Sequence, residues 1–112
     1  MNENGQLNRN GEVLNLHGRI NFQTVNSLYK LLKHELVPGV TRIDCSKVQH
    51  CDSSAISLLL ASLRLAQDHQ IKLQIQGMNE QILSLARMYD VDSILLTQKD
   101  RLPAQPDKFA ET

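Results

Sequence analysis

Residues 48–66 read Val48-Gln-His-Cys-Asp-Ser-Ser-Ala-Ile-Ser-Leu-Leu-Leu-Ala-Ser-Leu-Arg-Leu-Ala66, in which the polar triplet Asp52-Ser53-Ser54 runs straight into an apolar segment with helical spacing. Asp and Ser favour the start of a helix because their side-chain oxygens accept hydrogen bonds from the free N–H groups of the first turn. The spacing predicts a helix that starts at Asp52 or Ser53 and runs to about Asp68. Just upstream, Thr41-Arg-Ile-Asp-Cys45 reads as a strand. The unit is therefore a strand, a short loop, and a helix whose first turn carries one carboxylate and two hydroxyls. Function is expected at that helix end.

The predicted helix is apolar on two sides. At about 100° per residue, Ile56, Leu59, Leu60 and Leu63 share one stripe suited to a sheet. Leu58, Ala61 and Leu65 fall roughly opposite, with Ser57 and Arg64 on a flank between the stripes. Two readings stand side by side. Either a second layer of the same chain covers Leu58 and Leu65, or a partner surface begins at Asp52 and Ser53 and runs along the helix.

Working outward, Val13-Leu-Asn-Leu-His17 alternates as a strand and Gly18 ends it. Asn10-Gly11 is a hairpin turn signal, with a partner strand near 6–9 that has only Leu7 to bury. Asn21 is a candidate cap for a helix with Val25, Leu28, Tyr29, Leu32 and Leu36 on one face, stopped at Pro38-Gly39. Val40–Cys45 is the next strand, and Ile71-Lys-Leu-Gln-Ile75 another, closed by Gly77. Asn79 caps a third helix with Ile82, Leu85, Ala86 and Tyr89 on one face. Residues 91–96 form a short strand or a helical turn. Strands alternating with helices imply βαβ crossovers, hence an α/β fold with a mixed, mainly parallel sheet of four to five strands packed with helices. The domain is expected over 11–96, after a polar segment 1–10 and before a flexible tail 97–112 with Pro103 and Pro106.

A length of 112 residues suits one domain. Twelve basic residues balance twelve acidic ones and neither sign forms a run, which argues against nucleic-acid binding by charge. The longest apolar run near the central helix, Leu58–Ala61, is far too short to span a membrane, and residues 1–6 lack the basic and apolar parts of an export signal. A soluble cytoplasmic protein is expected, with no direct membrane insertion. Cys45 and Cys51 are six apart, and His17, His34, His50 and His69 are scattered without ligand spacing, so no metal or other cofactor is expected. Cys45 is read as a small buried hydrophobe.

Nothing in the sequence assembles a catalytic set. No Gly-x-Ser-x-Gly elbow is present, the five glycines at 5, 11, 18, 39 and 77 form no phosphate loop, and no His is placed as a base for Ser53. The expectation is a binding protein and not an enzyme. A hydroxyl at a helix start has another use. Phosphate on Ser53 would meet the free N–H groups and dipole of the helix, and would set up to two negative charges beside Asp52 on a contact surface. A partner that accepts the neutral hydroxyl would then be repelled. The plain alternative is an N-cap, which stabilises by about 1 kcal/mol.

Ile43-Asp-Cys-Ser-Lys-Val48, Cys51-Asp-Ser-Ser-Ala55 and the Leu-rich helix resemble the STAS domain family (sulfate transporter and anti-sigma factor antagonist), and the order of elements fits from about Val13 to Leu96. The resemblance implies that the Asp-Ser pair is the recognition end. It also implies that Ser53 is the candidate phosphorylation site if the partner is an anti-sigma factor kinase. Ala55 stands where such antagonists often carry Gly. A second stretch, Leu73-Gln-Ile-Gln-Gly-Met-Asn-Glu-Gln-Ile-Leu-Ser-Leu-Ala-Arg-Met-Tyr-Asp-Val91, is similar to the STAS subunits of Mla-type phospholipid ABC transporters. That likeness implies a non-catalytic subunit that binds and supports the ABC transporter ATPase. The complex would be attached to the inner membrane through the permease and would maintain outer-membrane lipid asymmetry. The implied contact residues are Asp52, Ser53, Ser54, Ser57, Leu58, Ala61 and Leu65, with Ser53 making hydrogen bonds instead of accepting phosphate. Transporter subunit and phosphorylation-switched antagonist share one fold and one surface.

Overall fold

The computed structural model describes residues 5–96. Its elements follow the order β1 (Gln6–Asn10), β2 (Val13–Ile20), α1 (Val25–Glu35), β3 (Arg42–Cys51), α2 (Ser53–Asp68), β4 (Gln74–Gln76), α3 (Glu80–Met88) and α4 (Asp92–Leu96). The sheet runs β1-β2-β3-β4, with β1 antiparallel to β2 and the other two pairs parallel. This is the mixed, mainly parallel α/β sheet expected. The partner strand expected near 6–9 is present as β1, Gln6–Asn10, so part of the polar N-terminal segment is a full strand of the sheet. It pairs from Gln6 opposite His17 to Asn10 opposite Val13, and Gly11 takes the turn at φ 66°. The proposed tail, 97–112, lies outside the described residues.

Alternation along β2 places Leu14, Leu16 and Ile20 in the core and leaves Val13, Asn15, His17 and Arg19 half-buried on the other side. Two crossovers that step the same way along a sheet carry their helices to the same face. α1 and α2 accordingly pack against one another. The core is aliphatic: Leu28 and Leu32 of α1 surround one apolar space with Leu16, Ile43 and Leu59, and Leu14, Leu36 and Val40 belong to the same buried cluster.

Four local differences from the expectation have physical causes. α1 begins at Val25, but the cap bonds come one turn earlier, where Asn21 Oδ1 accepts from the amides of Gln23 and Thr24. β3 extends to Cys51, six residues past the expected end, because Val48 returns to the core after Cys45 and β2 continues beside it. β4 keeps only three residues. Leu73 is still buried, but the ladder to β3 begins at Gln74 opposite Arg42. Tyr89 is 51% exposed, since α3 ends at Met88 and Asp90 turns at φ 61°.

Asn79 caps α3, accepting from the Ile82 amide at 2.9 Å, and its Nδ2 donates to the Val48 carbonyl at 3.2 Å, where β4 has already ended. Gly77 lies against the same part of β3. Its φ is 74°, and an added Cβ would fall 2.7 Å from Asp44 Oδ1 and 2.9 Å from the Ser46 amide. Those two atoms are already bonded to each other at 2.9 Å, so neither can yield freely. Gly77→Ala should therefore lower unfolding stability by about 1–3 kcal/mol, read as a shifted denaturant midpoint with an unchanged slope.

Candidate protein-interaction site

The site is built where β3 passes into α2. Ile20, the last residue of β2, pairs with Cys51, and the Asp52 amide donates to the Ile20 carbonyl at 3.1 Å. The ladder between the parallel strands thus reaches one residue past β3 and fixes the residue that caps α2. Asp52 is extended, at φ −118° and ψ −164°, and its Oδ1 accepts from the Ser54 amide at 2.8 Å. Because Asp52 does the capping, the Ser53 hydroxyl has no structural duty. Ser53 is exposed at the first helical position, and Ser57 is exposed one turn along. Ala61, half-buried, continues the stripe at i+8, and Arg64 is exposed beyond it.

The opposite face of α2 is formed by Ala55, Leu59, Ser62 and Ala66, all buried, with Ile56 and Leu58 beside them. Ser62 is the buried polar residue among the described ones, and its hydroxyl donates to the Leu59 carbonyl at 2.6 Å. That bond satisfies the hydroxyl within its own helix. The space among Leu7, Leu16, Leu28, Leu32, Ile43, Leu58, Leu59 and Ser62 is apolar and holds no water-sized void. It is packing space rather than a ligand chamber.

Both thiols are free. Burial, with help from the neighbouring Asp44 and then Cys51, pushes the Cys45 thiol up to about 12. Burial first and Asp52 second also raise Cys51 above its ordinary value. The thiolate is the reactive form, so both groups stand protonated at neutral pH. Among the described residues no cluster of three or more His, Cys, Asp or Glu could hold a metal ion, and no helix is long and apolar enough to cross a membrane.

The family model described as Mlab, STAS domain matches residues 4–97. The chain belongs to this STAS family. Over 96 residues it is 29% identical to the intermembrane phospholipid transport system binding protein MlaB of Escherichia coli (strain K12), covering 86% of this chain and 98% of that relative. The MlaB of Shigella flexneri matches to the same extent. In fold it is similar to the anti-sigma factor antagonist SpoIIAA. The unphosphorylated form superposes with a TM-score of 0.62 at 15% identity over 80% of this chain and 83% of that one. The phosphorylated form of the Bacillus protein gives 0.60 at 13% identity over 96% of both chains.

The STAS fold brings most, but not all, of the sequence-selected residues to one surface. Ser53 and Ser57 are exposed there, and Asp52, Ser54 and Ala61 are half-buried beside them. Leu58 departs from the expectation: at 3% exposure it is core. The two apolar stripes are in fact flanks of one broad buried face whose centre is Ala55, Leu59, Ser62 and Ala66. Leu65, on the Leu58 flank, is half-buried against the core, and Leu60, assigned to the sheet side, is half-exposed near Ser57. The sequence reading also passed over Phe22, an exposed ring in the turn after β2. Its neighbour Asn21 was the available signal, since a capping residue marks a fixed turn.

Leu58→Ala should cost about 2–5 kcal/mol of stability, as expected for a buried leucine, whereas Ser57→Ala should leave stability within about 0.5 kcal/mol. Chemical denaturation of both variants separates the two faces. Thiol labelling of the native protein at pH 8 should modify Cys51 well before Cys45. The Cys45 thiol also predicts alkaline sensitivity. Its contribution to stability is complete below its ordinary value of 9.0 and is lost as pH rises towards about 12, because the unfolded thiol releases its proton first. Cys45→Ala should flatten that part of the stability profile.

Proposed function

We propose that this STAS protein is a non-catalytic subunit that binds and supports the ATPase of an Mla-type phospholipid ABC transporter, and so serves the maintenance of outer-membrane lipid asymmetry. The observation that carries the reading is the stripe of exposed Ser53 and Ser57 with half-buried Ala61, mounted on a helix capped from the β2–β3 ladder. The likeness to the phospholipid transport binding protein MlaB over nearly the whole of that relative supports the choice of partner. Small side chains let a partner helix or loop approach closely, and the two hydroxyls supply hydrogen bonds without a fixed charge to desolvate. The groups offered here suit recognition of a protein surface. The thiols nearby are held in their unreactive form. In this reading the chain sits in the cytoplasm and reaches the inner membrane only through its partner.

A second reading has an observation of its own. Ser53 stands exposed at the first position of a helix of sixteen residues, where a phosphate would be stabilised by the N-terminal amides. On that reading the partner is an anti-sigma factor kinase, and phosphorylation of Ser53 releases the complex.

Ser53→Ala should leave the melting temperature within a degree or two, since Asp52 supplies the cap, yet weaken binding to the ATPase subunit about fivefold for one lost hydrogen bond. Ser53→Glu should weaken it much further, because an unpaired carboxylate would be buried in the contact. Pull-downs from native membranes with wild type and Ser53→Glu provide the test. Recovery of an ATPase with its permease by wild type alone upholds the transporter reading. Recovery of an ATP-binding kinase, with phosphate found on Ser53, would replace it by the second.

A further inference from the structure

Phe22 is 72% exposed, the largest exposure of any large hydrophobic side chain among the described residues. Apolar residues scattered singly on a surface need no explanation, and Leu31 of α1, at 41%, is such a case. Phe22 differs in how its backbone is held. Asn21 Oδ1 accepts from the amides of Gln23 at 2.9 Å and Thr24 at 3.1 Å. Thr24 Oγ1 accepts from the Asn21 amide at 3.0 Å and donates to the Arg19 carbonyl, also at 3.0 Å. The Val25 amide closes the turn on the Asn21 carbonyl at 2.9 Å. The ring is thus presented from a backbone bonded on both sides, so ordering it on a partner costs little conformational entropy.

Its position matters as much. The turn leaves β2 just after Ile20, whose neighbours across the ladder are Cys51 and the cap residue Asp52. Adjacent strands lie about 5 Å apart, so the Phe22 turn and the first turn of α2 leave the sheet side by side. The polar side chains of these two turns are Asn21, Gln23, Thr24, Asp52, Ser53 and Ser54, with Ser57 one turn further along α2, and Asp52 is the charged group among them. An aromatic anchor beside hydrogen-bonding groups, with no cation on either turn, has the composition of a protein contact, whereas docking on a lipid surface calls for clustered cations around the apolar side chain.

We infer that Phe22 is the aromatic anchor of the α2 site, entering an apolar pocket on the transporter ATPase subunit while the Ser53 and Ser57 hydroxyls bond beside it. This rests on the transporter reading given above. The test is titration calorimetry of the full chain against the purified ATPase subunit, with Phe22→Ala and Met88→Ala compared with wild type. Met88 is the control because it is 70% exposed and lies at the end of α3 away from Asn79, which joins α3 to β3. Phe22→Ala should weaken binding at least about tenfold with an unchanged melting temperature, and Met88→Ala should not weaken it. Equal affinity for wild type and Phe22→Ala, or equal losses in both variants, would overturn the anchor while leaving the transporter reading in place. Failure of wild type itself to bind the ATPase would overturn that reading and the anchor with it. Sedimentation of the chain alone supplies the remaining outcome. Self-association that Phe22→Ala abolishes would give the ring to a second copy of this chain and overturn the assignment.

Discussion

The parallel pairing of β2 with β3 is the constraint on which the rest of the structure depends. A parallel pair cannot be closed by a tight turn, so the chain between its strands must cross over, and α1 is that crossover. The pairing runs from Val13 opposite Arg42 to Ile20 opposite Cys51, with irregularities between Asn15 and His17 and between Gly18 and Arg19. Gly18, at φ 80°, accommodates the second of these. The strands finish level, and the next amide, that of Asp52, bonds to the Ile20 carbonyl. The start of α2 is therefore an extension of the sheet, and its geometry is as firm as the core beneath it.

α2 answers to two demands. Its buried face must lie against the sheet and α1, and its centre is made of small residues, Ala55, Ser62 and Ala66, around Leu59. Small side chains reduce the distance at which a helix packs, so the leucines fit as flanks instead of forming a ridge. This is why the leucine pattern misleads. Angular positions weighted by hydrophobicity see Leu58 and Leu65 on one side and Leu60 and Leu63 on the other, and read them as two stripes. Ala and Ser contribute little to such a pattern, although Ala55, Ser62 and Ala66 lie along the buried centre of the face. Ser62 is the sharper case. It reads as polar until its hydroxyl is seen bonded to the Leu59 carbonyl.

Much of the remaining fold was legible because local signals agreed with the tertiary arrangement. Asp52 and Asn79 cap their helices as their positions suggest, and the α1 face Leu28–Leu32–Leu36 is buried as its spacing requires. The misjudged boundaries share one cause: a neighbour in space, not in sequence, decided them. Ser46, Lys47, Gln49 and His50 make the second half of β3 look like a loop, yet β2 runs on beside it and keeps it a strand. Conversely, Ile71–Leu73 alternates like a strand but forms no ladder with β3. At the site, the hydroxyl positions were legible from the helix start. The accessibility of Phe22 and the burial of Leu58 depended on packing that no periodicity encodes.

On the proposed reading, the arrangement at the α2 start also lets one fold present different contact surfaces. A chain resembling both a phospholipid transport binding protein and, in fold alone, an anti-sigma factor antagonist must keep its core while its contact surface changes. Here the two tasks fall on adjacent residues. Asp52 holds the ladder and caps the helix with its backbone amide and its carboxylate, and Ser53 bears neither duty. The hydroxyl of Ser53 can hydrogen-bond to a partner or carry a modification without loosening the helix that presents it. Asn21 and Phe22 divide the labour in the same way, the first fixing the turn and the second projecting from it. On the proposed reading, separating the residue that holds the backbone from the residue that meets the partner leaves recognition free to vary at almost no cost to folding.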